Sequence, residues 1–410
     1  MPITSDLRTA VRLAQRLLAS RRSRRELARR LPSVAVPAPG TIEIAVYFAD
    51  GPVNMYQVRQ WYAPLAELAK THPVAIIARS PGTMTTLIDE SPVPAVYARQ
   101  VVDLEHFVET QAPKVVLYVN QNARNFQMMR YGRMWHVFVN HGESDKMYMT
   151  TNQFKAYDYA LIAGDAARGR LAEALWDYDL DARTIAIGRP QADHFAGAAP
   201  YPDDDRTVVL YAPTWEGDRG AAAYGSIASH GTTIAEQVLA SPRHRLVYRP
   251  HPRSGVLEPT YRAAHERIVA AITAANTADP SAHHVHDTGG ELGWQLADAD
   301  VAITDISAMI YDRLAVGKPL IVTRPVSPEA DVDERGYLSD ANWLTAADAS
   351  SVLARIDAAV GDAAELAKLQ HWVAQYFGDT TPGAATARFH AAVEWLLERW
   401  RTVAAERGER

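Results

Sequence analysis

The 410-residue chain contains no cysteine, which excludes disulfides, thiolate catalysis and zinc sites built on cysteine sulfur. It also lacks any uncharged apolar run of about eighteen residues, and its N-terminus lacks the apolar core and small-residue cleavage site of a secretory signal. These absences predict a cytoplasmic protein that is neither exported nor inserted across a membrane.

Three common nucleotide and hydrolase motifs are missing as well. There is no GxxxxGK[ST] phosphate loop, no GxGxxG dinucleotide fingerprint and no GxSxG nucleophile elbow. His283, His284 and His286 suggest a metal site, but no carboxylate lies at ligand spacing, so we predict no metal there. The sequence implies no cofactor, and a dependence on divalent metal stays open.

The net charge of −6 is unevenly distributed along the chain. Residues 1–30 carry nine arginines against Asp6 and Glu26, so the leader is strongly basic and the body is acidic. A nucleic-acid enzyme is expected to carry its positive charge on the body that holds the substrate. We therefore exclude DNA and RNA as substrates.

The basic leader, residues 1–31, has a helical apolar pattern. Leu7, Val11, Ala14 and Leu18 recur at steps of three and four, which predicts an amphipathic helix flanked by arginines. This pattern is typical of a helix that lies on an anionic membrane surface, here the inner face of the cell membrane. The alternative is a solvated basic helix that packs on the protein's own body.

Short apolar runs alternate with amphipathic helical patterns after a proline-rich linker. This layout predicts an α/β protein with largely parallel sheets. The pattern restarts near residue 200, so we predict two domains, 42–190 and 200–380, and a C-terminal helix over 386–406 that packs back across them. Buried strands are predicted at 42–48, 74–78, 115–119, 137–140, 159–163, 208–211, 245–249, 301–304 and 320–323.

Polar residues at the carboxyl ends of these strands are the candidate ligand-binding residues, because ligands in open parallel sheets bind there. The segment 301–308 has the pattern of a strand, a cap and a helix start. Ser307 or Asp305 can cap this helix, and the free amides of its first turn can hold a phosphate. The segment alone favours the simpler alternative of a capped helix that binds nothing.

Two further strand ends carry histidines. His141 has an ordinary pKa near ~6.5, which suits a general base on an attacking hydroxyl, and Glu143 or Asp145 can orient its ring. Arg249 and the imidazolium of His251 together suit a diphosphate that gains charge as it is cleaved. Taken singly, each motif is equally consistent with a structural role.

Taken together and in order, these strand ends resemble the CDP-glycerol glycerophosphotransferases of wall teichoic acid and related capsule synthesis. The shared patterns are His-Gly followed by lysine, Gly-x-Pro-x-x-Asp, Tyr-Ala-Pro-Thr-Trp, Arg-x-His and Thr-Asp-x-Ser. They span about residues 114–325. The matching residues are His141, Gly142, Lys146, Gly188, Pro190, Asp193, Tyr211 to Trp215, Arg249, His251, Thr304, Asp305, Ser307 and Asp312.

The resemblance implies a GT-B architecture, in which two Rossmann-like domains with parallel sheets face a central cleft. The first domain would bind the acceptor and the second the nucleotide donor. It also implies transfer of glycerol phosphate, or a related polyol phosphate, from CDP-glycerol to a hydroxyl of a lipid-linked or polymeric acceptor, releasing CMP. The implied partners are that donor, that acceptor and, through residues 1–31, an anionic membrane surface.

The resemblance also implies residue roles. His141 would be the general base, Arg249 and His251 would offset charge on the pyrophosphate, and Ser307 with the amides at Ser307 and Ala308 would hold phosphate. Cytosine is expected at the loop 286–289. Further donor-side candidates are Thr214, Asp305, Asp312, His286 and Thr288, and the acceptor-side candidates are Gly142, Glu143, Asp145 and Lys146.

The sequence departs from the family's pattern in two segments. Ala308 stands where the family usually has a second serine, which removes one hydroxyl contact to phosphate. Glu143, Ser144 and Asp145 replace the more usual Thr-Pro-Leu, which makes the acceptor side more acidic and leaves the acceptor's identity open. Two alternatives also stay open: a GT-B glycosyltransferase that uses a sugar nucleotide, and a non-catalytic nucleotide-binding scaffold of a wall-assembly complex.

Overall fold

Two wholly parallel sheets organise the protein, whose structure is a computed structural model that describes residues 21–143, 150–290 and 292–408. Every strand pairing in both sheets is parallel; for example, Val46 pairs with Leu117 in the first sheet and Ile303 with Tyr211 in the second. The predicted α/β class with parallel sheets is therefore confirmed.

The first sheet has seven strands in the order β3-β2-β1-β4-β5-β6-β7. The strand order reverses between β1 and β4, so a crevice opens at the carboxyl ends of these two strands. The strands are β1 (Ile44–Phe48), β2 (Val74–Ala78), β3 (Ala95–Tyr97), β4 (Val115–Tyr118), β5 (Trp135–Phe138), β6 (Tyr159–Ile162) and β7 (Thr184–Ala186).

The second sheet has six strands in the order β10-β9-β8-β11-β12-β13. Its order reverses between β8 and β11, which places a second crevice at their carboxyl ends. The strands are β8 (Thr207–Ala212), β9 (His244–Tyr248), β10 (Val285–His286), β11 (Val301–Thr304), β12 (Leu320–Thr323) and β13 (Trp343–Leu344).

Helices cover both faces of each sheet, which explains why the central strands are apolar and buried at nearly every position. Residues 21–30 are helical and are called α1. The others are α2 (Met55–Arg59), α3 (Tyr62–Leu68), α4 (Pro81–Glu90), α5 (Val101–Gln111), α6 (Asp165–Ala174), α7 (Leu180–Arg183), α8 (Thr232–Leu239), α9 (Pro259–Ala278), α10 (Trp294–Asp298), α11 (Ala308–Ala315), α12 (Val352–Gly361), α13 (Ala363–Phe377) and α14 (Ala384–Glu406).

The C-terminal helix α14 packs on the first sheet although it follows the second sheet in sequence. Phe389, Val393, Leu396 and Leu397 are fully buried in the same core as the apolar residues of β1 and β2. The ring of Phe389 lies 5.2 Å from that of Trp61. The end of the chain therefore completes the hydrophobic core of the first sheet.

Helix α1 also belongs to that core. Leu27 is only 3% exposed and packs among the core residues, and Arg30 forms an ion pair with Asp89. For residues 21–30, the structure therefore favours the alternative in which the leader packs on the protein's own body. The predicted apolar stripe from Leu7 to Leu18 lies outside the described residues.

The Gly-x-Pro-x-x-Asp motif joins the first sheet to the helices α11, α13 and α14. Gly188 has a φ of +72°, and a β-carbon there would come within 2.9 Å of the carbonyl oxygen of Phe377. Arg189 forms a buried ion pair with Asp312 in α11. The side chain of Asp193 accepts a hydrogen bond from the backbone N–H of Thr386, at 2.6 Å. This motif is therefore a structural junction.

Candidate active site

A polar cavity of about 190 Å³ lies in the crevice of the first sheet, at the carboxyl ends of β1, β4 and β5. Asp50 accepts hydrogen bonds from the amide groups of Asn120, at 2.6 Å, and Asn122, at 2.8 Å, so its carboxylate is fixed. His141 lies on the wall of the same cavity.

The ring of His141 has a defined orientation. Asn140, just before it, has a φ of +55°, a left-handed conformation that asparagine tolerates better than most residues. The Nδ1 of His141 lies 2.9 Å from the carbonyl oxygen of Val119. A carbonyl only accepts hydrogen bonds, so Nδ1 carries the proton and Nε2 has the free lone pair of a base.

Burial lowers the pKa of His141, and the positive charge of Arg189 lowers it further, whereas the hydrogen bond to Val119 acts to raise it. The ring is therefore neutral near pH 7 and able to accept a proton. Tyr56 contacts it edge-on, with the ring centres 5.8 Å apart.

Glu143, one of the two acidic residues predicted to orient His141, does not do so. Glu143 is buried and forms an ion pair with Arg170, so the carbonyl of Val119 takes the orienting role expected of an acidic neighbour. A β-carbon at Gly142 would meet the side chains of Arg189 and Gln60 at an ordinary 3.9 Å, so close packing does not require glycine there. The predicted acceptor-side residues Asp145 and Lys146 lie outside the described residues.

On the second sheet, Arg249 is held by acidic and amide neighbours. It forms an ion pair with Asp287, whose carboxylate also accepts hydrogen bonds from Gln295, at 2.6 Å, and from the N–H of Gly289, at 2.9 Å. Burial acts to raise the pKa of Asp287, but these hydrogen bonds and Arg249 outweigh it and lower the pKa. Asp287 thus fixes the guanidinium of Arg249 at the end of β9.

His251 has the tautomer opposite to that of His141. Its Nδ1 accepts a hydrogen bond from the backbone N–H of Arg253, at 3.1 Å, so the neutral ring carries its proton on Nε2. Burial lowers its pKa, and Arg253 lowers it further. The structure therefore presents His251 as a neutral hydrogen-bond donor, whereas the sequence suggested an imidazolium. The indole ring of Trp215 lies beside the ring of His251, and the guanidinium of Arg253 lies 3.6 Å from the centre of that indole ring.

Asp305 is an organising residue inside the protein. It is fully buried and accepts hydrogen bonds from the backbone N–H groups of Thr214, at 2.7 Å, and Ser226, at 3.0 Å, and from the hydroxyl of Thr323, at 2.5 Å. Burial raises its pKa to about 6 despite these bonds. The carboxylate therefore ties the loops after β8 and β11 to the last residue of β12, and the structure does not place it on an open surface.

The helix start after β11 has the serine cap that the sequence predicts. Ser307 is the N-cap of α11, and its hydroxyl accepts a hydrogen bond from the N–H of Met309, at 3.3 Å. Ala308 is exposed at the first position of the helix. The first-turn amides and the positive end of the helix dipole favour an anion at this point.

Three other donor-side candidates lie in different settings. Asp312 is buried and paired with Arg189, so its carboxylate is committed to the junction. His286 stacks on Tyr248, with the ring centres 5.7 Å apart and the planes at 25°. Thr288 is exposed in the loop that Asp287 shapes, at the edge of the second sheet.

A short path of contacts connects the two candidate sites. Gly142 adjoins the guanidinium of Arg189, which pairs with Asp312 in the helix that Ser307 caps. The loop of His141 on the first sheet and the phosphate-type helix start on the second are therefore on elements that touch.

Sequence reasoning did not single out Asp287 or Glu216. Glu216 is buried and accepts hydrogen bonds from the N–H groups of Gly255, Leu257 and Glu258, so it shapes the loop between His251 and α9. Its place directly after Tyr-Ala-Pro-Thr-Trp was the available signal, because an acidic residue at a strand end commonly binds nearby backbone N–H groups.

The described part of the chain shows neither a cluster suited to a metal ion nor a membrane-spanning helix. Across residues 21–143, 150–290 and 292–408, no cluster of three or more histidine, aspartate or glutamate side chains is arranged to hold a metal ion. In the same ranges, no helix is long and apolar enough to cross a membrane.

Comparison with solved structures identifies the fold as GT-B. The wall teichoic acid polymerase TagF superposes with a TM-score of 0.54 at 13% identity, over 97% of this chain and 98% of that one. A UDP-GlcNAc 2-epimerase from Neisseria meningitidis bound to UDP-GlcNAc superposes with a TM-score of 0.57 at 15% identity, over 87% and 99%. No curated protein matches the sequence. The GT-B fold implied by the resemblance is therefore confirmed.

The family follows from the sequence. The family model of the CDP-glycerol:poly(glycerophosphate) glycerophosphotransferases matches residues 119–342, which is more than half of the chain. The chain belongs to this family, and the resemblance drawn from the strand ends is confirmed.

We predict that His141→Ala lowers kcat for phosphate transfer by roughly 10²- to 10⁴-fold, because the base for the attacking hydroxyl is lost. The wild-type rate should fall as the pH drops through a pKa below the ordinary ~6.5, since protonation removes the lone pair of Nε2. Steady-state kinetics at saturating substrate measure kcat of the variant and the wild type. A pH profile of kcat/KM for the acceptor measures the pKa in the wild type.

His106→Ala is the matched control, because His106 is exposed on α5, away from the crevice. His251→Ala should instead weaken donor binding. If His141→Ala kept the wild-type rate and its acidic limb, His141 would not be the base.

We also predict that Asp305→Ala lowers the free energy of unfolding by about 3 kcal/mol or more, because two backbone N–H groups and a hydroxyl lose their buried acceptor. Denaturant unfolding followed by circular dichroism measures this change. Asp298→Ala, at an exposed position, should stay within about 0.5 kcal/mol of wild type. Unchanged stability with lost donor affinity would show instead that Asp305 is a ligand.

Proposed function

We propose that this enzyme transfers glycerol phosphate, or a related polyol phosphate, from CDP-glycerol to a hydroxyl of a lipid-linked or polymeric acceptor and releases CMP. The observation that carries the proposal is the orientation of His141, whose protonated Nδ1 on Val119 leaves Nε2 free as a base in a polar crevice. Membership of the glycerophosphotransferase family supports the donor class.

The proposed reaction is a single displacement at phosphorus. The acceptor oxygen attacks the phosphorus that carries glycerol, its proton passes to Nε2 of His141, and the bond from that phosphorus to the bridging oxygen breaks. CMP leaves with the electron pair of that bond. The charge that grows on the leaving phosphate needs donors that are fixed in advance.

The second sheet offers such donors. Arg249, held by Asp287, supplies a fixed positive charge, and neutral His251 supplies an Nε2–H. The first-turn amides of α11 after Ser307 would hold the remaining phosphate oxygens. Thr214 adjoins this point through its N–H bond to Asp305, and His286 and Thr288 border the loop proposed for cytosine.

We further propose that the enzyme works at the inner face of the cell membrane, held there by its basic leader. Arg21, Arg22, Arg25 and Arg29 are exposed on α1, whereas Leu27 points into the core. A basic surface of this kind attracts anionic lipid headgroups, by roughly 1 kcal/mol for each cation near the surface.

Incubating the enzyme with CDP-glycerol, CDP-ribitol or UDP-GlcNAc tests the donor assignment. We expect mass spectrometry to detect CMP and a phosphate-extended acceptor with a CDP-polyol, and no UDP from UDP-GlcNAc. His141→Ala is the control without turnover.

Each other result contradicts a specific part of the proposal. Release of UDP would instead indicate a glycosyltransferase. Donor binding without turnover, unaffected by His141→Ala, would indicate a scaffold.

Deleting residues 1–20 together with Arg21→Gln, Arg22→Gln, Arg25→Gln and Arg29→Gln tests the membrane proposal, because the deletion alone would leave these four exposed cations in place. The deletion stops there because Leu27 and the Arg30–Asp89 ion pair belong to the folded body. We expect the truncated enzyme to shift from anionic vesicles to the supernatant in cosedimentation, while it keeps activity on a soluble acceptor analogue. An unchanged partition would refute the anchor, and vesicles of neutral lipid provide the control.

A further inference from the structure

A second polar cavity lies on the same edge of the first sheet. It and His141 lie on opposite sides of the point between β1 and β4 where the strand order reverses. The cavity has a volume of about 280 Å³ and is lined by three arginines, Arg79, Arg99 and Arg124, together with Gln100. These arginines follow β2, β3 and β4, three different strands that meet at this edge. We call it the arginine pocket.

The guanidinium groups of the arginine pocket are not paired with carboxylates in the described part of the chain. Within residues 21–143, 150–290 and 292–408, none of its three guanidinium groups forms an ion pair with a carboxylate. Arg99 and Arg124 are exposed, whereas Arg79 is only 7% exposed. A nearly buried cation beside two others of the same sign is unfavourable unless an anion joins them.

Arg79 is held in place by the fold but is not fully satisfied. Its Nη1 donates to the hydroxyl of Tyr47 at 2.5 Å, and its Nη2 donates to the carbonyl oxygen of Arg99 at 2.8 Å. Its buried Nε has no hydrogen-bond partner in the described part of the chain. Tyr47 in turn donates to the carbonyl oxygen of Arg124, at 3.1 Å, so one network positions all three arginines.

A helix start adds to the positive potential. Gln100 is the N-cap of α5, an eleven-residue helix whose first residue, Val101, lines the pocket. Asp103 is committed to the capping box, where its carboxylate accepts the N–H of Gln100 at 2.7 Å. The positive end of the helix dipole therefore reinforces the arginines.

The position of the pocket indicates which anion it takes. β2 and β5 are separated by three strand spacings, so Arg79 and His141 lie roughly 14 Å apart along the carboxyl edge. The wall between them is the polar network of Asp50, Asn120 and Asn122. The candidate donor residues lie on the second sheet, so a donor phosphate does not account for a basic pocket here.

We propose that the arginine pocket binds a phosphate group of the acceptor, upstream of the hydroxyl that His141 deprotonates. This inference rests on the proposed function, because it assumes that His141 marks the reacting end. The phosphate has two possible sources of the same chemistry, a phosphodiester of a growing polymer or the diphosphate that joins an acceptor to its lipid. An extended acceptor would lie along the crevice with its charged group held at the far end.

The test uses Arg99→Gln/Arg124→Gln, because both side chains are exposed and neither donates a hydrogen bond to another residue that the structure describes. The control Arg267→Gln/Arg407→Gln removes the same charge at exposed positions elsewhere. Without donor, a glycerol phosphate oligomer, a short prenyl diphosphate and glycerol are titrated separately into each protein. With donor, KM is measured for the acceptor and for CDP-glycerol.

We expect the wild type and the control to bind one of the two phosphate probes, and the pocket variant to bind it about tenfold more weakly or worse. The probe that binds identifies the source of the phosphate. The acceptor KM should rise by a similar factor, while the KM for CDP-glycerol stays unchanged.

The inference is overturned if the wild type binds neither phosphate probe more tightly than glycerol, or if the pocket variant binds as well as the control. The binding titration needs no turnover, so it separates this inference from the proposed function. If the phosphate probe binds through the arginines but no CDP-polyol is consumed, the pocket stands and the transfer reaction is the part that fails.

Discussion

The buried ion pair between Arg189 and Asp312 is the contact on which the active-site geometry depends. It ties the end of β7 to the helix α11, and the loop of His141 adjoins Arg189 on one side while Ser307 caps α11 on the other. Burial raises the pKa of Asp312, although Arg189 acts to lower it. Loss of either partner would leave an unpaired charge inside the protein, typically at a cost of about 3–5 kcal/mol.

The two site histidines show how backbone atoms set chemical roles. Each histidine follows a strand, and neither sequence shows which backbone atom its ring meets. The Nδ1–H of His141 donates to a carbonyl, whereas Nδ1 of His251 accepts from an N–H. The first ring is therefore left with an acceptor nitrogen and the second with a donor nitrogen. The fold thus presents an acceptor nitrogen on one sheet and a donor nitrogen on the other, and backbone atoms set both roles.

Much of the fold is predictable from the sequence, because buried parallel strands form continuous apolar runs. The runs at Val74–Ala78 and Val301–Thr304 match β2 and β11. Four strands of two or three residues at or near sheet edges, β3, β7, β10 and β13, are too short to give such a pattern and went unpredicted.

The site was predictable in its residue types but not in its contacts. The position of His141 follows from its strand, whereas the carbonyl of Val119 that orients it carries no sequence signal. Asp305 resembled a ligand or a cap because the sequence does not show that the loop of Thr214, 91 residues earlier, supplies an N–H to it. Asp312 resembled a ligand for the same reason, since its partner Arg189 is distant in sequence.

The packing of α14 into the first core has a consequence for biosynthesis. Residues Phe389 to Leu397 are synthesised after the whole of the second sheet, yet they fill the core that the first strands begin to build. The first sheet therefore keeps an exposed apolar face until the second sheet has been translated, contrary to the usual order in which the first domain matures alone. A chain truncated before Ala384 would leave that face uncovered, so the first sheet cannot complete its core independently of the second.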